Sequence, residues 1–181
     1  LSHTKKCFKA VGLRQVCEEL EVPFISFEDT EWVSVDLPST SLGSGWYTEE
    51  VLRHDHLINL AVLKTHCMAD YTLSLKNLMG CIHLRTRLKM HASQLSQRIG
   101  EFNKALTPVL NILDGTKCFI DGGPDKGEER SPGVILASRD RVALDVTGVE
   151  LLKELGSESL AGVDPWAHPQ IKHAVKHGLG V

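Results

Sequence analysis

The stretch from Leu57 to Cys81 constrains the fold more than any other part of the chain. It opens with the apolar run Leu57–Leu63, which is short enough for a buried β-strand. The polar residues Lys64, Thr65 and His66 then end that run abruptly. Beyond them, apolar residues recur at the spacing of one helix face, which predicts a helix through Tyr71, Leu75, Leu78, Met79 and Ile82.

Two further apolar runs end in the same way. Val109–Leu113 is followed by Asp114, and Val134–Ala137 is followed by Ser138. Helical patterns lie between and after these runs, at Ser93–Leu106 and from Asp140 to about Leu155. The alternation predicts an α/β fold in three layers, with a mostly parallel or mixed sheet and helices on both faces. If the three strands are parallel, their carboxyl ends share one edge, where α/β sheets bind ligands.

The remaining segments have simpler predictions. The pattern predicts a helix over residues 4–20 that Gly12 breaks or bends, a strand over Val22–Phe27, an antiparallel strand over Trp32–Leu37, and a last helix that opens at Asp164–Pro165. Residues 115–132 are rich in glycine and charge, which predicts a mobile loop that covers the strand ends as a lid.

Composition excludes several classes of protein. The 181 residues suit a single domain, and the net charge of -3 gives no electrostatic footprint for nucleic acid. No apolar run is long enough to span a membrane, and no signal peptide is visible, so we expect a cytoplasmic protein. The five cysteines are scattered without a C-x-x-C pair. We therefore expect no disulfide scaffold and no iron–sulfur cluster within this chain, while its cofactor stays unknown.

The polar residues at the predicted strand ends suit an anionic ligand. Lys64 and Lys76 supply charge, and Asn77 supplies an amide; Thr65, Asp114 and Ser138 line the same edge, and Gly122–Gly123 offers a backbone nest for phosphate.

His66 is the candidate for proton transfer, because an unperturbed imidazole titrates near neutrality. A plainer interpretation stays open, in which the lysines point into water, the histidine is only hydrogen-bonded, and Asp114–Gly115 is a turn pair.

Asp145 is the third candidate catalytic residue, beside His66 and Lys64. It lies in a helical segment that should face the sheet, and a buried carboxylate needs a partner. Arg141, four residues earlier, is one candidate partner and would make Asp145 purely structural. Both roles stay open at this point.

The histidines do not predict a metal site. His54 and His56 are too few, and His168, His173 and His177 are spaced five and four residues apart, which we interpret as a solvated face. The basic stretch from His83 to His91 either docks an acidic substrate or is solvated.

Several separate words of the sequence occur together in one known family. VLKTHCMADYTLSLKNLMGCI, LSQRIGEFN, LNILDGT, DGGPDKGE and GVILASRDRVALDVTGVELL resemble the bacterial and archaeal family called domain of unknown function 362, over roughly residues 13–181. The resemblance implies a fold and a set of site positions but no reaction. Some members are fused to ferredoxin-like modules that carry iron–sulfur clusters, and relatives have a further strand–helix region before this point. We therefore expect residues 1–181 to form one α/β domain, the C-terminal two-thirds of a longer family domain.

Two functions follow from the residues and the resemblance together. The first is a redox-linked enzyme that acts on an anionic small molecule or cofactor at the strand ends. The second is a non-catalytic module that binds such a ligand or docks an iron–sulfur partner, either a ferredoxin-like domain or a separate protein. Neither nucleic acid nor a membrane is expected as a partner.

Overall fold

The computed structural model describes residues 4–181. The helices are α1 (Thr4–Ala10), α2 (Leu13–Glu19), α3 (Glu49–Arg53), α4 (Ser74–Asn77), α5 (Leu84–Ala92), α6 (Leu95–Phe102), α7 (Arg141–Glu154) and α8 (Pro169–Lys176). The strands are β1 (Trp32–Leu37), β2 (Gly43–Thr48), β3 (Leu57–Val62), β4 (Lys64–His66), β5 (Asp70–Thr72), β6 (Pro108–Gly115), β7 (Cys118–Gly122), β8 (Gly127–Arg130) and β9 (Val134–Ser138).

The three apolar runs form one sheet, in the order β3-β6-β9. Strands β3 and β6 are parallel, and β9 runs antiparallel to β6, so the α/β class and the mixed sheet are confirmed. The shared edge is confirmed for only two of the three strand ends. Val62 lies opposite Asp114, whereas Ser138 lies opposite Asn111, towards the other end of β6. The prediction for Ser138 was therefore wrong.

The direction of β9 follows from the segment before it. Residues 118–130 are not the predicted loop but an antiparallel hairpin of β7 and β8. A parallel connection needs a crossover of a dozen or more residues, usually a helix, and this hairpin supplies none. Cys118 and Ile120 are buried on one side of β7, while all of β8 is exposed. The apolar alternation of Cys118–Ile120 was hidden in the sequence by the surrounding glycines and charges.

The segment after β3 also differs from its prediction. Lys64–His66 continues as the short strand β4, which pairs antiparallel with β5, and Tyr71 lies in β5 instead of a helix. Helix α4 has only four residues, and a 3-10 turn follows it over Leu78–Cys81. The apolar positions are all buried as the spacing indicated. They do not share one helix, because Tyr71 lies in β5, Leu75 in α4, and Leu78 and Met79 in the 3-10 turn.

Near the chain ends, some boundaries were right and others wrong. Gly12, with φ 77°, separates α1 from α2, and Trp32–Leu37 is an antiparallel strand, as predicted. Val22–Phe27 is not a strand, and Val22, Phe24 and Ile25 are exposed. A strand there would need a neighbour to receive its hydrogen bonds. The last helix begins at Pro169, with His168 as its N-cap, instead of at Pro165.

Helices α4 and α7 cover one face of the β3-β6-β9 sheet. Asn59 and Ala61 of β3 point into this layer, and Gly148 of α7 lets the helix approach so closely that a Cβ would lie 2.9 Å from Leu73 and 3.1 Å from Leu113. The opposite face is more open, because Ile58, Leu60 and Ile135 are 59%, 65% and 58% exposed there.

Helices α6 and α8 pack against each other at Gly100. A Cβ on Gly100 would lie 2.7 Å from the carbonyl oxygen of Gln170 and 2.8 Å from the backbone nitrogen of Ala174. These neighbours are backbone atoms, so they cannot move aside without shifting α8.

Gly100→Ala should therefore destabilise the protein. We expect a loss of about 1–3 kcal/mol in the free energy of unfolding, the usual cost of overpacking, measured by chemical denaturation. Gly162→Ala is the matched control, because no atom lies within 4 Å of a Cβ there, and its change should stay within about 0.5 kcal/mol. Equal stability of the two variants would contradict the close packing of α6 on α8.

Candidate functional site

Strand β4 and helix α4 bring three of the predicted site residues together. Strand alternation places Lys64 and His66 on one side of β4, and α4 contributes Lys76. The charges of Lys76 and Lys64 both act on the imidazole of His66. Thr65 points the other way: it is 1% exposed, and its Oγ1 donates to the carbonyl oxygen of Phe119 at 3.2 Å. We call Lys64, His66 and Lys76 the lysine–histidine cluster.

His66 is a neutral imidazole in this cluster. Burial, followed by the charges of Lys76 and Lys64, lowers its pKa to about 4. The backbone N–H of Met68 donates to His66 Nδ1 at 3.1 Å, so the ring proton lies on Nε2. At neutral pH, His66 can thus donate one hydrogen bond from Nε2, but it is a poor general acid without a ligand.

Lys76 is a cation in an unfavourable environment. Burial, followed by the charge of Lys64, lowers the pKa of Lys76 to about 8, and Cys67 acts in the opposite direction. Lys64 Nζ donates to the backbone carbonyl of Pro124 at 3.1 Å, which is a neutral acceptor. Two ammonium groups therefore lie close together without a compensating carboxylate among the influences on Lys76, and an anion would stabilise both.

The glycine turn between β7 and β8 packs against β4, the strand that carries Lys64 and His66. Gly122 and Gly123 have φ 83° and 67°, and the carbonyl of Thr65 leaves no room for a Cβ on Gly123. The N–H of Gly123 donates to the carbonyl of Lys126 at 2.7 Å. This N–H is therefore engaged in the turn, and close backbone approach explains Gly123 without a phosphate nest. Direct ligand binding by either glycine stays a prediction.

Asp145 caps helix α4, and its role in catalysis stays a prediction. Its Oδ1 accepts from Ser74 N at 2.8 Å and Ser74 Oγ at 2.5 Å, and its Oδ2 accepts from Leu75 N at 3.0 Å. Burial raises the pKa of Asp145 to about 7, and these hydrogen bonds oppose that rise. Asp145 is 0% exposed, so its carboxylate is closed to solvent in the unliganded protein. The expected partner Arg141 donates instead to Asn103 Oδ1 at 3.0 Å.

Asn77 anchors α4 to the sheet. Its Nδ2 donates to Asn59 Oδ1 at 2.8 Å and to the Leu60 carbonyl at 3.0 Å. Asn59 Nδ2 in turn donates to Asn111 Oδ1 on β6 at 3.0 Å. Both amide protons of Asn77 are therefore used within the protein, and its position holds Lys76 in place.

The other two predicted edge residues make local turns. Asp114 Oδ1 accepts from Thr116 N at 2.9 Å and Thr116 Oγ1 at 2.7 Å, and these hydrogen bonds lower the pKa of Asp114. Ser138 Oγ accepts from Asp140 N at 3.0 Å at the opposite end of the sheet. Asp114 shares the edge where β4 begins, and Ser138 does not.

Two neighbours of the cluster were missed in the sequence. Cys67 is exposed, directly follows His66 and acts on Lys76, while His91 of α5 contributes to the lowered pKa of His66. Cys67 was judged only as a disulfide or iron–sulfur ligand, although its adjacency to His66 was visible. His91 comes from the basic stretch, whose approach to β4 could be learned only from the fold.

The C-terminal histidines are not a solvated face. His168 is 7% exposed; its Nδ1 lies 2.9 Å from Tyr71 Oη and its Nε2 lies 2.9 Å from Asp70 Oδ2. His173 and His177 face Glu101 of α6. The prediction of a solvated face failed because α8 packs against α6 and β5 along its histidine-bearing side.

The lowered pKa of His66 predicts a pH dependence of stability. An unfolded histidine takes up a proton near pH 6.5, whereas folded His66 does so only near pH 4. The unfolded state therefore binds more protons between these values, and this histidine makes the free energy of unfolding fall as pH falls from 6.5 to 4.

Denaturation of the parent and of His66→Asn across this range measures the effect. Asparagine keeps an acceptor for the Met68 N–H but does not titrate. The parent should lose stability more steeply than the variant as pH falls. Parallel curves would show that His66 is not held neutral by its surroundings.

Comparison with known proteins places the chain in a family. Residues 2–150 match the family described as Domain of unknown function (DUF362). A thylakoid-associated protein of Synechocystis sp. is 30% identical over 148 residues, which cover 78% of this chain and 45% of that relative. The chain thus spans less than half of the relative's length, and no solved structure matches it. Within residues 4–181, no helix is long and apolar enough to cross a membrane. Because the match takes in most of the chain, including the lysine–histidine cluster, the protein belongs to the DUF362 family.

Proposed function

We propose that this protein binds an anionic small molecule or cofactor at the lysine–histidine cluster and acts on it as a redox-linked enzyme. The observation that carries the binding site is Lys76. Its ammonium group is partly buried, and the charge of Lys64 lowers its pKa further. Proteins rarely keep two like charges together in a partly desolvated place unless a ligand of opposite charge uses them.

The cluster offers three donors to such a ligand. Two ammonium groups supply charge-assisted hydrogen bonds, and the Nε2–H of neutral His66 supplies a third. A bound anion would offset the lysine charges that lower the pKa of His66. Ligand binding would then remove the part of the shift that the lysines cause and raise the pKa of His66, which would make proton transfer by His66 easier when the ligand is present. Cys67, exposed beside Lys76, is a thiol within the same surroundings.

The proposed redox activity is supported by the family resemblance and not by the geometry of the cluster. It rests on the resemblance to a family with ferredoxin-fused members, whereas the geometry of the cluster supports only anion binding. A ferredoxin-like domain or protein is the proposed electron partner. A cytoplasmic location also stays a prediction, since the relative from Synechocystis sp. is described as thylakoid-associated.

A non-catalytic binding or docking module is the second candidate. The observation in its favour is that Asp145, one of the three candidate catalytic residues, is 0% exposed and already accepts hydrogen bonds at the start of α4. Within residues 4–181, no carboxylate is among the charges that shift the pKa of His66. The two candidates differ in the behaviour of His66→Asn: a catalyst would lose turnover while it retains ligand affinity, and a module has no turnover to lose.

Substitution of the two lysines should weaken anion binding. Lys76→Met and Lys64→Met each remove a charge-assisted hydrogen bond worth roughly 1.5–3 kcal/mol, which corresponds to about one to two decades in dissociation constant. The measurement is calorimetry against phosphate, pyrophosphate, citrate and nucleotide cofactors. Lys172→Met, on the exposed side of α8, is the matched control and should bind as the parent does. The site is in the wrong place if every anion that the parent binds is bound equally by both cluster variants.

Lys76→Met should also make the unliganded protein more stable. At pH 7 the substitution removes a cation whose folded-state pKa is about 8, lowered first by burial. We expect the free energy of unfolding to rise by about 1 kcal/mol or more, since one pKa unit is worth roughly 1.4 kcal/mol. Chemical denaturation in an anion-poor buffer gives the value, again with Lys172→Met beside it. A loss of stability would mean that Lys76 has a structural partner, which removes the reason for proposing a ligand.

A further inference from the structure

Helices α6 and α8 bring a carboxylate and two imidazoles to one place, whereas the lysine–histidine cluster lies on β4 and α4. Glu101 lies near the end of α6, and His173 and His177 are four residues apart at the end of α8. Residues four apart share one face of a helix, and two histidines at this spacing are a common arrangement in metal sites. The close contact at Gly100 fixes the distance between the two helices.

The potential ligand atoms are close together. Glu101 Oε1 lies 3.5 Å from His173 Nδ1, and one ligand atom from each of the three residues lies within 4.8 Å of the others. Ligands at about 2.1 Å from a tetrahedral ion lie about 3.4 Å apart, so the carboxylate and His173 are already spaced for one. His177 is the C-cap residue of α8 and is only partly buried.

Both imidazoles leave a buried nitrogen unpaired. His173 Nδ1 and His177 Nε2 are inaccessible to solvent and have no hydrogen-bond partner in the described part of the chain. A buried polar atom without a partner costs about 1–3 kcal/mol, and native proteins rarely leave two in one place. An ion pair of Glu101 with protonated His173 would satisfy one of them and leave His177 unexplained.

Glu101 is held in the form that a metal ion needs. It is 2% exposed, and its Oε2 accepts from Ser41 N at 2.9 Å and Ser41 Oγ at 2.7 Å, while Oε1 accepts from Gln97 Nε2 at 2.8 Å. Burial alone would raise the pKa of Glu101, but the hydrogen bonds from Gln97 and Ser41 outweigh burial and lower it. These bonds orient an ionised carboxylate towards the two histidines, as outer-shell partners do around metal ligands.

We propose that Glu101, His173 and His177 form a binding site for a divalent transition metal ion of the zinc class, with water in the remaining position. Two imidazoles and one carboxylate are a donor set that zinc uses when a coordination position stays open. Ions of this class bind the neutral form of imidazole, which is the form of an ordinary histidine above about pH 6.5. Lys104, a neighbour of His177, donates to the Pro38 carbonyl at 2.6 Å.

The test uses untagged protein that has been treated with EDTA and dialysed. Titration with Co²⁺ should produce the absorption bands of a low-coordinate site at one ion per chain, and Zn²⁺ should displace the Co²⁺. His173→Asn and His177→Gln should each weaken binding by about 100-fold or more, and Ser41→Ala by about 10- to 100-fold. The control is the double variant His54→Gln, His56→Gln, which removes two exposed histidines and should bind as the parent does.

Thermal denaturation separates metal binding from folding. Without metal, His173→Asn and His177→Gln should melt close to the parent, because the ring nitrogens they remove have no partner. Zn²⁺ should raise the melting temperature of the parent and of the His54, His56 double variant, but not of the ligand variants. The proposal is overturned if the parent binds no Co²⁺ at micromolar concentration, or if the ligand variants retain the ion.

Discussion

The carboxylate of Asp145 is the interaction on which the candidate site depends. It crosses from α7 to accept hydrogen bonds from Ser74 and Leu75, the first two residues of α4. A helix of four residues cannot form on its own account, since its backbone groups lack internal partners. Asp145 supplies those partners from a fully buried position. By fixing where α4 starts, it also fixes where Lys76 and Asn77 lie, so its effect on the site is positional.

The sequence predicted the three strands of the β3-β6-β9 sheet well because their signal is local. Three apolar runs with polar ends predicted β3, β6 and β9. The start of a helix at Asp140 was also visible, and in the structure Asp140 Oδ1 accepts from Val142 N at 2.8 Å. The direction of β9 could not be predicted from its own residues, because it depends on whether residues 118–130 cross over the sheet or turn back as a hairpin. The alternation of strands with helices predicted helices on both faces of the sheet, whereas residues 4–181 leave Ile58 and Leu60 exposed on one of them.

Candidate site residues were predictable in type but not in partner. Lys64, His66 and Lys76 were grouped correctly, because a strand end and the following turn are close in any α/β fold. Arg141 was one candidate partner of Asp145 from its spacing, and its charge does lower the pKa of Asp145. The hydrogen-bond donor Ser74, however, is 71 residues away in the chain. The pair His173 and His177 had a metal-like spacing that was obscured by counting from His168. Glu101, on a different helix, could be associated with them only through the packing of α6 on α8.

One polar network joins the elements that carry the two candidate sites. Asn103, at the end of α6, donates to the carbonyl of Leu75 at 3.0 Å and accepts from Arg141 at 3.0 Å. It thereby joins the helix that carries Glu101 to the elements that position Lys76. A substitution of Asn103 or Asp145 would leave buried donors unpaired and disturb both sites together, so loss of binding in such a variant would not identify a ligand. Lys64, Lys76, His173 and His177 lie outside this network. Each of these four residues can be substituted without breaking a hydrogen bond of the network. A loss of binding in such a variant therefore reports on the ligand site and not on the stability of the fold.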